Sequence, residues 1–388
     1  MVVERTNGYA RELIRGIADF ANGHPEIGFQ LFDPERFKPN RQASADGYVC
    51  RVTSDALARQ LIRCGKPVVD LLCLKQRPGF AAVRPDVRAL VELALAHFSE
   101  RRFARFAFCG FDSIHYSDIR REAFVAALRR QNHAAEVYRA NAAARRRFTV
   151  QYQTTGTAGA PPDVRELADW LVSLPKPIAV FCCDDFRASD VARLCKRLRL
   201  GVPDDVAILG VDNDPVYCMF SSPRLSSIDP DATALGHAAA ELLQRQLSSR
   251  KARRPLALTI PPKGIVVRAS TDSYPGAPDW FPDAMSYIEN EIRTGLSASD
   301  VFRRVGYSRT LVERIFRKVL GKTVQEEIAE VRIRAAKRLL RTTAMPIKDI
   351  AAQTGYRSIE YFTRAFKAAV GHPPAAYRLT GTPPRSRR

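Results

Sequence analysis

The sequence predicts two folds in one chain: an α/β part built on parallel sheets, then an all-α domain with two helix-turn-helix units. Two observations lead to this order. In residues 1–270, short apolar runs alternate with amphipathic helical segments, which is typical of parallel sheets covered by helices on both faces. In residues 283–380, one helical pattern occurs twice, and its opening glycines, Gly306 and Gly355, lie 49 residues apart.

The elements of the α/β part follow from these runs. The predicted strands are 29–32, 47–50, 67–72, 103–110, 178–182, 206–210 and 256–260. The predicted helices are 10–21, 54–64, 85–100, 118–131, 163–174, 186–198 and 232–247. Residues 139–162 are rich in Ala, Arg, Thr, Gly and Pro, and we expect a surface excursion there.

Polar residues gather just after several of these strands. Ligands of open parallel sheets bind outside the carboxyl ends of the strands, so these residues are candidates for a binding site. Carboxylates and amides suit a polyol, because each sugar hydroxyl can both donate and accept a hydrogen bond. The alternative is that a strand-end Asp caps the following helix, and Asp185 in particular could be such a cap. The candidates are Asp70, Asp184, Asp185, Asp212 and Asn213, together with Arg120 at the start of a helix.

Each copy of the repeated pattern predicts a helix, a glycine turn and a second helix. Gly306 and Gly355 can take a positive φ and end the first helix, at 298–305 and 347–354. Ser308 and Ser358 are placed to cap the second helix. The exposed face of that helix is predicted to carry Arg309, Thr310, Glu313, Arg314 and Arg317 in the first copy, and Ile359, Glu360, Thr363, Arg364 and Lys367 in the second. A basic helix after a tight turn is what readout of a DNA major groove needs.

A single helix pair of this kind could be a helical domain whose arginines form only a solvated face. The repetition disfavours that interpretation. Residues 324–342 have apolar residues near a 3.6 period and predict one long helix between the copies. Two helices joined in this way could enter successive major grooves about 34 Å apart.

Charge agrees with a polyanionic partner. The chain of 388 residues has a formal net charge of +20. Residues 279–388 carry 21 Lys and Arg against 11 Asp and Glu, so half of the excess lies in just over a quarter of the chain. Double-stranded DNA is therefore the expected partner.

Other ligand classes have little support in the sequence. No Gly-rich phosphate loop follows a strand, so a nucleotide is disfavoured. The eight cysteines form no C-x-x-C pair and the six histidines have no metal-ligand spacing, so we expect free buried thiols and neither a metal nor another cofactor. No apolar run is long enough to span a membrane, and a cytoplasmic protein is expected. An α/β enzyme fused to a DNA reader remains an alternative, but no catalytic motif supports it.

Residues 283–379 resemble the AraC-type DNA-binding domain. The resemblance rests on the second copy: Ile350-Ala351, Gly355-Tyr356, Tyr361-Phe362, Phe366-Lys367, Gly371, Pro374 and Tyr377-Arg378. It implies that Thr310, Glu313, Ile359 and Glu360 join Arg314 and Arg364 at the bases. Ser358 belongs to the same expected DNA-contacting set.

Residues 1–270 resemble the sensor domains of the LacI and ribose-binding-protein type. The matching segments are Ala179–Asp185, Val206–Asn213 and Ser226–Asp229. The resemblance implies a two-lobed, periplasmic-binding-protein-like fold that closes on a sugar. It assigns sugar contacts to Asp212, Asn213 and Arg120, and places Asp184 and Asp185 on the hinge side.

The order of the two parts is similar to that of the xylose operon regulators of the AraC/XylS family. This implies a homodimer that responds to a sugar such as D-xylose, contacts RNA polymerase and activates genes of pentose use. The acidic residues alone would equally suit another pentose or a hexose, and they leave activation and repression open.

One departure from the sensor pattern concerns the first strand. Only residues 2–4 remain of a strand that precedes residue 7 in the family, so we expect a truncated start and an unpaired sheet edge. An AraC-type regulator that has lost effector sensing is therefore the alternative function. Residues 271–282 are expected to form a linker, and residues 381–388 a disordered basic tail.

Overall fold

The computed structural model describes residues 1–3, 7–32, 37, 45–72, 77, 79–146, 163–248, 256–272, 274, 277–278, 280–343 and 345–380. The predicted excursion lies outside these residues from 147 onward, as do parts of the predicted linker and the tail 381–388. The chain divides into two compact units, residues 1–99 with 103–273 and residues 100–102 with 274–388.

The first lobe of the first unit is a small parallel sheet with helices packed on it. Its strands lie in the order β1 (Tyr48–Cys50), β2 (Val68–Asp70), β3 (Phe80–Pro85) and β9 (Ala257–Ile260). The helices of this lobe are α1 (Gly8–Asn22), α2 (Asp55–Arg63) and α8 (Ala232–Leu247). Leu13 and Ile17 of α1 share one core with Leu235 and Ala239 of α8.

The start of the chain extends this sheet, so the expected unpaired edge is wrong at Val2. Val2 forms isolated parallel bridges with Phe32 on one side and Cys50 on the other. Its N–H donates to the Val49 carbonyl at 2.8 Å, and its carbonyl accepts from the Arg51 N–H at 3.1 Å. Val2 and Val3 are buried. The strand predicted at 29–32 is reduced to the single bridge at Phe32.

The second lobe contains a larger sheet. Its strands lie in the order β10 (Gly264–Val266), β8 (Ser226–Asp229), β7 (Val206–Val211), β6 (Ile178–Cys182), β4 (Phe106–Cys109) and β5 (Ala135–Val137). Its helices are α3 (Val87–Glu100), α4 (His115–Arg130), α5 (Val164–Ser173), α6 (Asp185–Leu198) and α7 (Pro215–Phe220). β10 runs antiparallel to β8, so this sheet is mixed and the strand predicted at 256–260 is not the last one.

The chain passes between the lobes three times, between β3 and α3, between β8 and α8, and between β9 and β10. Leu90 and Val91 of α3 belong to the core of the second lobe, while Leu235 of α8 belongs to that of the first. The two-lobed sensor fold expected from the sequence is confirmed.

The second unit is helical, as predicted. Its helices are α9 (Phe281–Glu291), a short 3-10 turn (Ile292–Thr294), α10 (Ala298–Val305), α11 (Arg309–Leu320), α12 (Val324–Thr342), α13 (Ile347–Gln353), α14 (Ile359–Val370) and α15 (Pro374–Thr380). The long helix α12 has the predicted bounds. Its first half, through Val324 and Ile328, packs into one core, and its second half, through Ala336 and Leu340, packs into another.

The two predicted glycine turns are present. Gly306 has φ 74° and Gly355 has φ 80°, both in the left-handed region. Ser308 Oγ accepts from the Leu311 N–H at 3.4 Å, and Ser358 Oγ accepts from the Tyr361 N–H at 3.2 Å. Each serine therefore caps the helix that follows its turn.

Candidate effector and DNA-binding sites

A cavity of about 530 Å³ lies between the lobes of the first unit, at the carboxyl ends of both sheets. This volume is within the usual range for small-molecule sites. Side chains of several chemical classes meet there. The titratable ones are Tyr9, Arg51, Arg84, Asp86, His115, Tyr116, Arg120, Asp184, Asp185, Asp212, Asp214 and Tyr217. Asn7, Phe186 and Thr259 also line the cavity.

Four of the six predicted effector residues line this cavity: Arg120, Asp184, Asp185 and Asp212. Arg120 and Asp212 face each other, with Arg120 Nη2 at 3.7 Å from Asp212 Oδ1. Arg120 also donates to the Cys183 carbonyl and lies over the Tyr116 ring, with 5.4 Å from its central carbon to the ring centroid. The guanidinium is thus fixed by three neighbours before any ligand arrives.

Asp212 combines strained backbone with an unusual acidity. Its φ is 106°, in a region that residues with a side chain rarely adopt. Burial raises the pKa of Asp212 to about 7, Arg120 opposes this shift, and the nearby carboxylates of Asp184 and Asp214 add to it. The group therefore titrates near neutral pH.

Asp184 is the residue that caps α6. Its Oδ1 accepts from the Arg187 N–H at 2.7 Å, and its Oδ2 accepts from the Tyr116 hydroxyl at 2.6 Å. The alternative role considered for Asp185, a simple helix cap, is therefore filled by its neighbour. Asp185 Oδ2 instead accepts from the Asp214 N–H at 2.8 Å and from Cys218 Sγ at 3.3 Å. Burial raises the pKa of Asp185 well above its ordinary value, and Asp212 adds to the rise.

Asp70 and Asn213 are not among the described residues that line the cavity. Asp70 Oδ1 accepts from the Leu72 N–H at 2.9 Å and the Val52 N–H at 3.2 Å, so it organises the ends of two neighbouring strands. Asn213 Oδ1 accepts from Arg268 Nη2 at 2.8 Å. Sequence position brings both residues to strand ends, but their side chains satisfy protein groups there.

Sequence reasoning overlooked several lining residues. Arg51 directly follows β1, so the strand-end rule that found the aspartates could have found it. Its guanidinium lies 5.9 Å from the centroid of the Tyr9 ring. Phe186 and Tyr217 meet edge to face at 5.5 Å between ring centroids. Both residues belong to helices of the second lobe, and no local sequence pattern identifies them.

Asp214 joins the two lobes at the cavity. Its Oδ2 accepts from the Gly8 N–H of α1 at 3.0 Å, and its Oδ1 accepts from the Val216 N–H at 2.9 Å. A Cβ on Gly8 would lie 2.5 Å from Asp214 Oδ2, a distance that real Cβ atoms do not adopt. A side chain at position 8 would therefore force the Asp214 side chain, or the approach of the lobes at this point, to shift.

The second helix of the first helix-turn-helix unit presents most of the predicted DNA-contacting side chains to solvent. Arg309, Thr310, Arg314 and Arg317 are exposed on α11. Glu313 is half-buried, and its Oε2 lies 3.4 Å from the N–H of Val324, which it accepts. The opposite face buries Val312, Phe316, Val319 and Leu320.

The corresponding helix of the second unit is less basic. On and before α14, Ser358, Ile359, Glu360 and Arg364 are exposed. Thr363 is half-buried, and its hydroxyl donates to the Ile359 carbonyl at 2.8 Å. Ser358 Oγ also donates to Glu360 Oε2 at 2.6 Å, and this bond lowers the pKa of Glu360. Tyr361, absent from the predicted set, is 59% exposed.

Comparisons with known families match both units. Residues 95–271 match a periplasmic binding protein-like domain, and residues 301–380 match a helix-turn-helix domain. The chain is 28% identical over 394 residues to the xylose operon regulatory protein of Escherichia coli strain K12, covering 97% of this chain and 96% of that protein. It is 30% identical over 305 residues to the xylose operon regulatory protein of Haemophilus influenzae, covering 78% and 76%.

Among solved structures, a xylose-binding transcription activator aligns over 98% of this chain and 97% of its own, with 25% identity and a TM-score of 0.59. The similarity to regulators spans both units, so a regulator without effector sensing is not favoured. These relatives are transcription regulators rather than enzymes. Within the described part of the chain, none of the helices is long and apolar enough to span a membrane.

Proposed function

The chain belongs to the family of the xylose operon regulatory proteins, which are sugar-responsive DNA-binding transcription regulators, and on that premise we propose that its effector is D-xylose. The pentose binds in the cavity of the first unit and stabilises the arrangement in which the lobes meet. Closure changes the affinity of the second unit for its operator and activates genes of pentose use. The effector can shift this equilibrium only by its preference for one state, typically about 1–3 kcal/mol.

The observation that supports a sugar is the composition of the cavity wall. Carboxylates and guanidinium groups both line it, with Asp212 beside Arg120 in the second lobe and Arg51 in the first. A polyol matches such a wall because every hydroxyl can donate to a carboxylate and accept from an arginine. Tyrosine rings, which have an apolar body and a polar tip, complete the lining.

Asp212 is the acceptor that we assign to the effector. Its carboxylate accepts hydrogen bonds from sugar hydroxyls more strongly than the neutral acid does, and with a pKa of about 7 it is largely protonated in mildly acidic solution. We therefore expect the affinity for D-xylose to rise as the pH increases through about 7. Isothermal titration calorimetry should show this rise, by up to about tenfold per pH unit below the midpoint. The Asp212→Asn variant should bind more weakly and lose the pH dependence.

On DNA, Arg314 and Arg364 are the residues that we assign to base edges. By their positions in the AraC-type pattern, the neighbouring contacts come from Thr310, Glu313, Ile359 and Glu360. Arg309, Arg317, Ser358 and Thr363 flank them on the same faces. A bidentate arginine contact to guanine contributes about 1–3 kcal/mol of discrimination.

We also propose that the protein acts as a homodimer and contacts RNA polymerase. Two copies on repeated operator sites would gain affinity through their effective concentration. Sedimentation velocity of the full chain should show a dimer at micromolar concentration. A purely monomeric protein that still binds a single operator copy tightly would contradict this part of the proposal.

Thermal melting against D-xylose, L-arabinose, D-ribose and D-glucose tests the effector assignment. A ligand that binds only the folded state raises the melting temperature, because it adds about 2.7 kcal/mol to the free energy of unfolding at a hundredfold excess over Kd. We expect the largest shift with D-xylose. The matched control is Asp19→Asn, which alters an exposed carboxylate of α1 away from the cavity. It should keep the shift that Asp212→Asn loses. A shift with another sugar alone would reassign the effector.

A further inference from the structure

The side chains of Asp212 and Asn213, which directly follow β7, point in different directions. Asp212 lines the cavity, whereas the Asn213 side chain is directed into the second lobe. Asn213 Oδ1 accepts from Arg268 Nη2 at 2.8 Å, and the Asn213 N–H donates to Ser227 Oγ at 2.9 Å. Both residues have positive φ, 106° and 50°. Such backbone persists only where surrounding contacts hold it, and the contacts of Asn213 are among those that do.

The Arg268 guanidinium binds both the Asp212–Asn213 loop and the backbone just before β8. While Nη2 donates to Asn213, Nη1 donates to the Leu225 carbonyl at 2.8 Å, just before β8. The planar guanidinium holds two acceptors in fixed geometry, which a lysine ammonium cannot reproduce. A displacement of the Asp212–Asn213 loop therefore acts on Arg268.

The backbone of Arg268 continues the connection toward the end of the first unit. Ser226 Oγ donates to the Arg268 carbonyl at 2.7 Å and accepts from the Arg268 N–H at 2.8 Å. The same Oγ accepts from Thr271 Oγ1 at 2.7 Å. Thr271 Oγ1 is also 2.8 Å from His97 Nε2 of α3. Thr271 is fully buried, and the chain leaves for the second unit directly after it.

Ser270 secures the same segment from the other side. Its Oγ accepts from the Ser226 N–H at 2.8 Å and donates to the Ile208 carbonyl of β7 at 2.6 Å. Residues 268–271 are thus held by side chains and backbone of β7 and β8. These strands lie next to the Asp212–Asn213 loop, which we call the effector loop. Arg268, Ser270 and Thr271 are therefore each hydrogen-bonded to β7 or β8 just before the chain leaves the first unit.

We propose that Arg268 is a positioning residue that transmits the state of the effector loop to the start of the connection between the units. It does so through Asn213 on one side and through Ser226 and Thr271 on the other. Asn213 then responds to the effector through Asp212 rather than by binding the sugar. This inference rests on the proposed function, because it requires an effector in the cavity and an operator response.

The test compares sugar affinity with operator response in the full-length chain. Calorimetry gives the Kd for D-xylose. Fluorescence anisotropy gives operator affinity with and without saturating D-xylose, on a duplex selected from random DNA by the wild-type protein. In the wild type we expect the two operator affinities to differ by about 5–150-fold. Arg268→Lys should keep the D-xylose Kd within about threefold, while the operator ratio falls below about threefold.

Two further variants make the outcome independent of one substitution. Asn213→Ala removes the acceptor on the loop side, and Thr271→Val removes the hydroxyl beside the exit point; both should reduce the operator ratio. Arg224→Lys is the matched control, since the Arg224 side chain is exposed in the same region, and it should behave as wild type. Melting curves confirm that each variant is folded.

The outcomes separate the two proposals. If the wild type responds to D-xylose and Arg268→Lys responds equally, the role of Arg268 is refuted while the proposed function stands. If Asn213→Ala weakens D-xylose binding as much as Asp212→Asn does while Arg268→Lys leaves it unchanged, Asn213 is a sugar ligand and the inference fails. If the wild type shows no D-xylose response at all, the proposed function fails, and the inference fails with it.

Discussion

The two helix-turn-helix units share one pattern but are packed differently. Gly306 and Gly355 open the turns with nearly the same φ, 74° and 80°. Among the described residues, none has an atom within 4 Å of a Cβ placed on Gly306, whereas a Cβ on Gly355 would lie 1.9 Å from the Ile292 carbonyl oxygen. The first turn thus needs glycine only for its conformation. The second turn needs glycine for a further reason, because the backbone at Ile292 lies against Gly355.

Arg332 of α12 strengthens the contact between the two units. Its Nη2 donates to the Leu296 carbonyl, in the segment leading to α10, at 2.9 Å. The same guanidinium lies 5.6 Å from the centroid of the Tyr356 ring, next to the second turn. One side chain therefore contacts both units, and the second unit is seated on the first rather than merely tethered to it.

The exposed faces differ as well. Helix α11 carries four exposed cationic side chains, Arg309, Arg314, Arg317 and Lys318. Helix α14 carries two, Arg364 and Lys367, together with the exposed acid Glu360 and apolar surface, and its Ile359 is 37% exposed. We therefore expect the first helix-turn-helix unit to contribute more phosphate attraction and the second more selective contact with bases.

Alanine at the two turn glycines should break the comparison most strongly. Gly306→Ala should cost about 1–2 kcal/mol, since only the left-handed backbone opposes it. Gly355→Ala should cost more, about 2–5 kcal/mol, because overpacking against Ile292 adds to that strain. Urea unfolding followed by circular dichroism would measure both. Equal losses would mean that the second turn can relax away from Ile292.

Replacing the proposed base-contacting arginine of each helix-turn-helix unit tests whether both units recognise bases. Arg314→Ala and Arg364→Ala should each weaken operator binding by about 1–3 kcal/mol and relax preference at one base-pair position. Competition binding against operators with single substitutions would locate that position. If either variant binds all sequences more weakly by the same factor, its arginine contacts phosphate instead.

The salt dependence of binding should sharpen the electrostatic contrast. Arg309→Gln and Arg317→Gln should each reduce the slope of log K against log salt concentration by about 0.9, if each arginine neutralises one phosphate. Ile359→Ala in the second unit should leave that slope unchanged while weakening affinity. Filter binding across a salt series provides both values. A slope change for Ile359→Ala would remove the distinction.

The smallest expected difference concerns the capping serines. Ser358→Ala should destabilise the second unit by about 1 kcal/mol, since Ser358 both caps α14 and binds Glu360. Ser308→Ala should cost less, because its capping bond is longer, at 3.4 Å. Thermal melting of the two variants would rank them, and the reverse order would show that bond length is a poor guide here.

Local signals in the sequence predict the helices of the second compact unit of the chain, which contains both helix-turn-helix units. Glycine stops, serine caps and the 3.6-residue period act over a few positions, and the bounds of α12, residues 324–342, follow from them. The two-lobed first compact unit of the chain contains strands without such signals. Ser226–Asp229 opens with two serines, and Gly264–Val266 has only three residues, so pairing with neighbouring strands rather than local pattern forms them.

The candidate effector site shows the same limit. The strand-end rule finds Asp184, Asp185 and Asp212, because the carboxyl ends of parallel strands share one edge. It cannot tell which way a side chain turns, and Asn213 turns to Arg268 instead of the cavity. Nor does it identify Tyr217, which belongs to α7 and reaches the cavity through tertiary packing.

The contact of Gly8 with Asp214 has a genetic consequence. Every single-nucleotide missense change of a glycine codon adds a side chain, and at position 8 that side chain would collide with the Asp214 carboxylate. We expect such alleles to disturb the contact between the lobes while leaving the helix-turn-helix units intact. Alleles of this codon are therefore expected to be non-inducible.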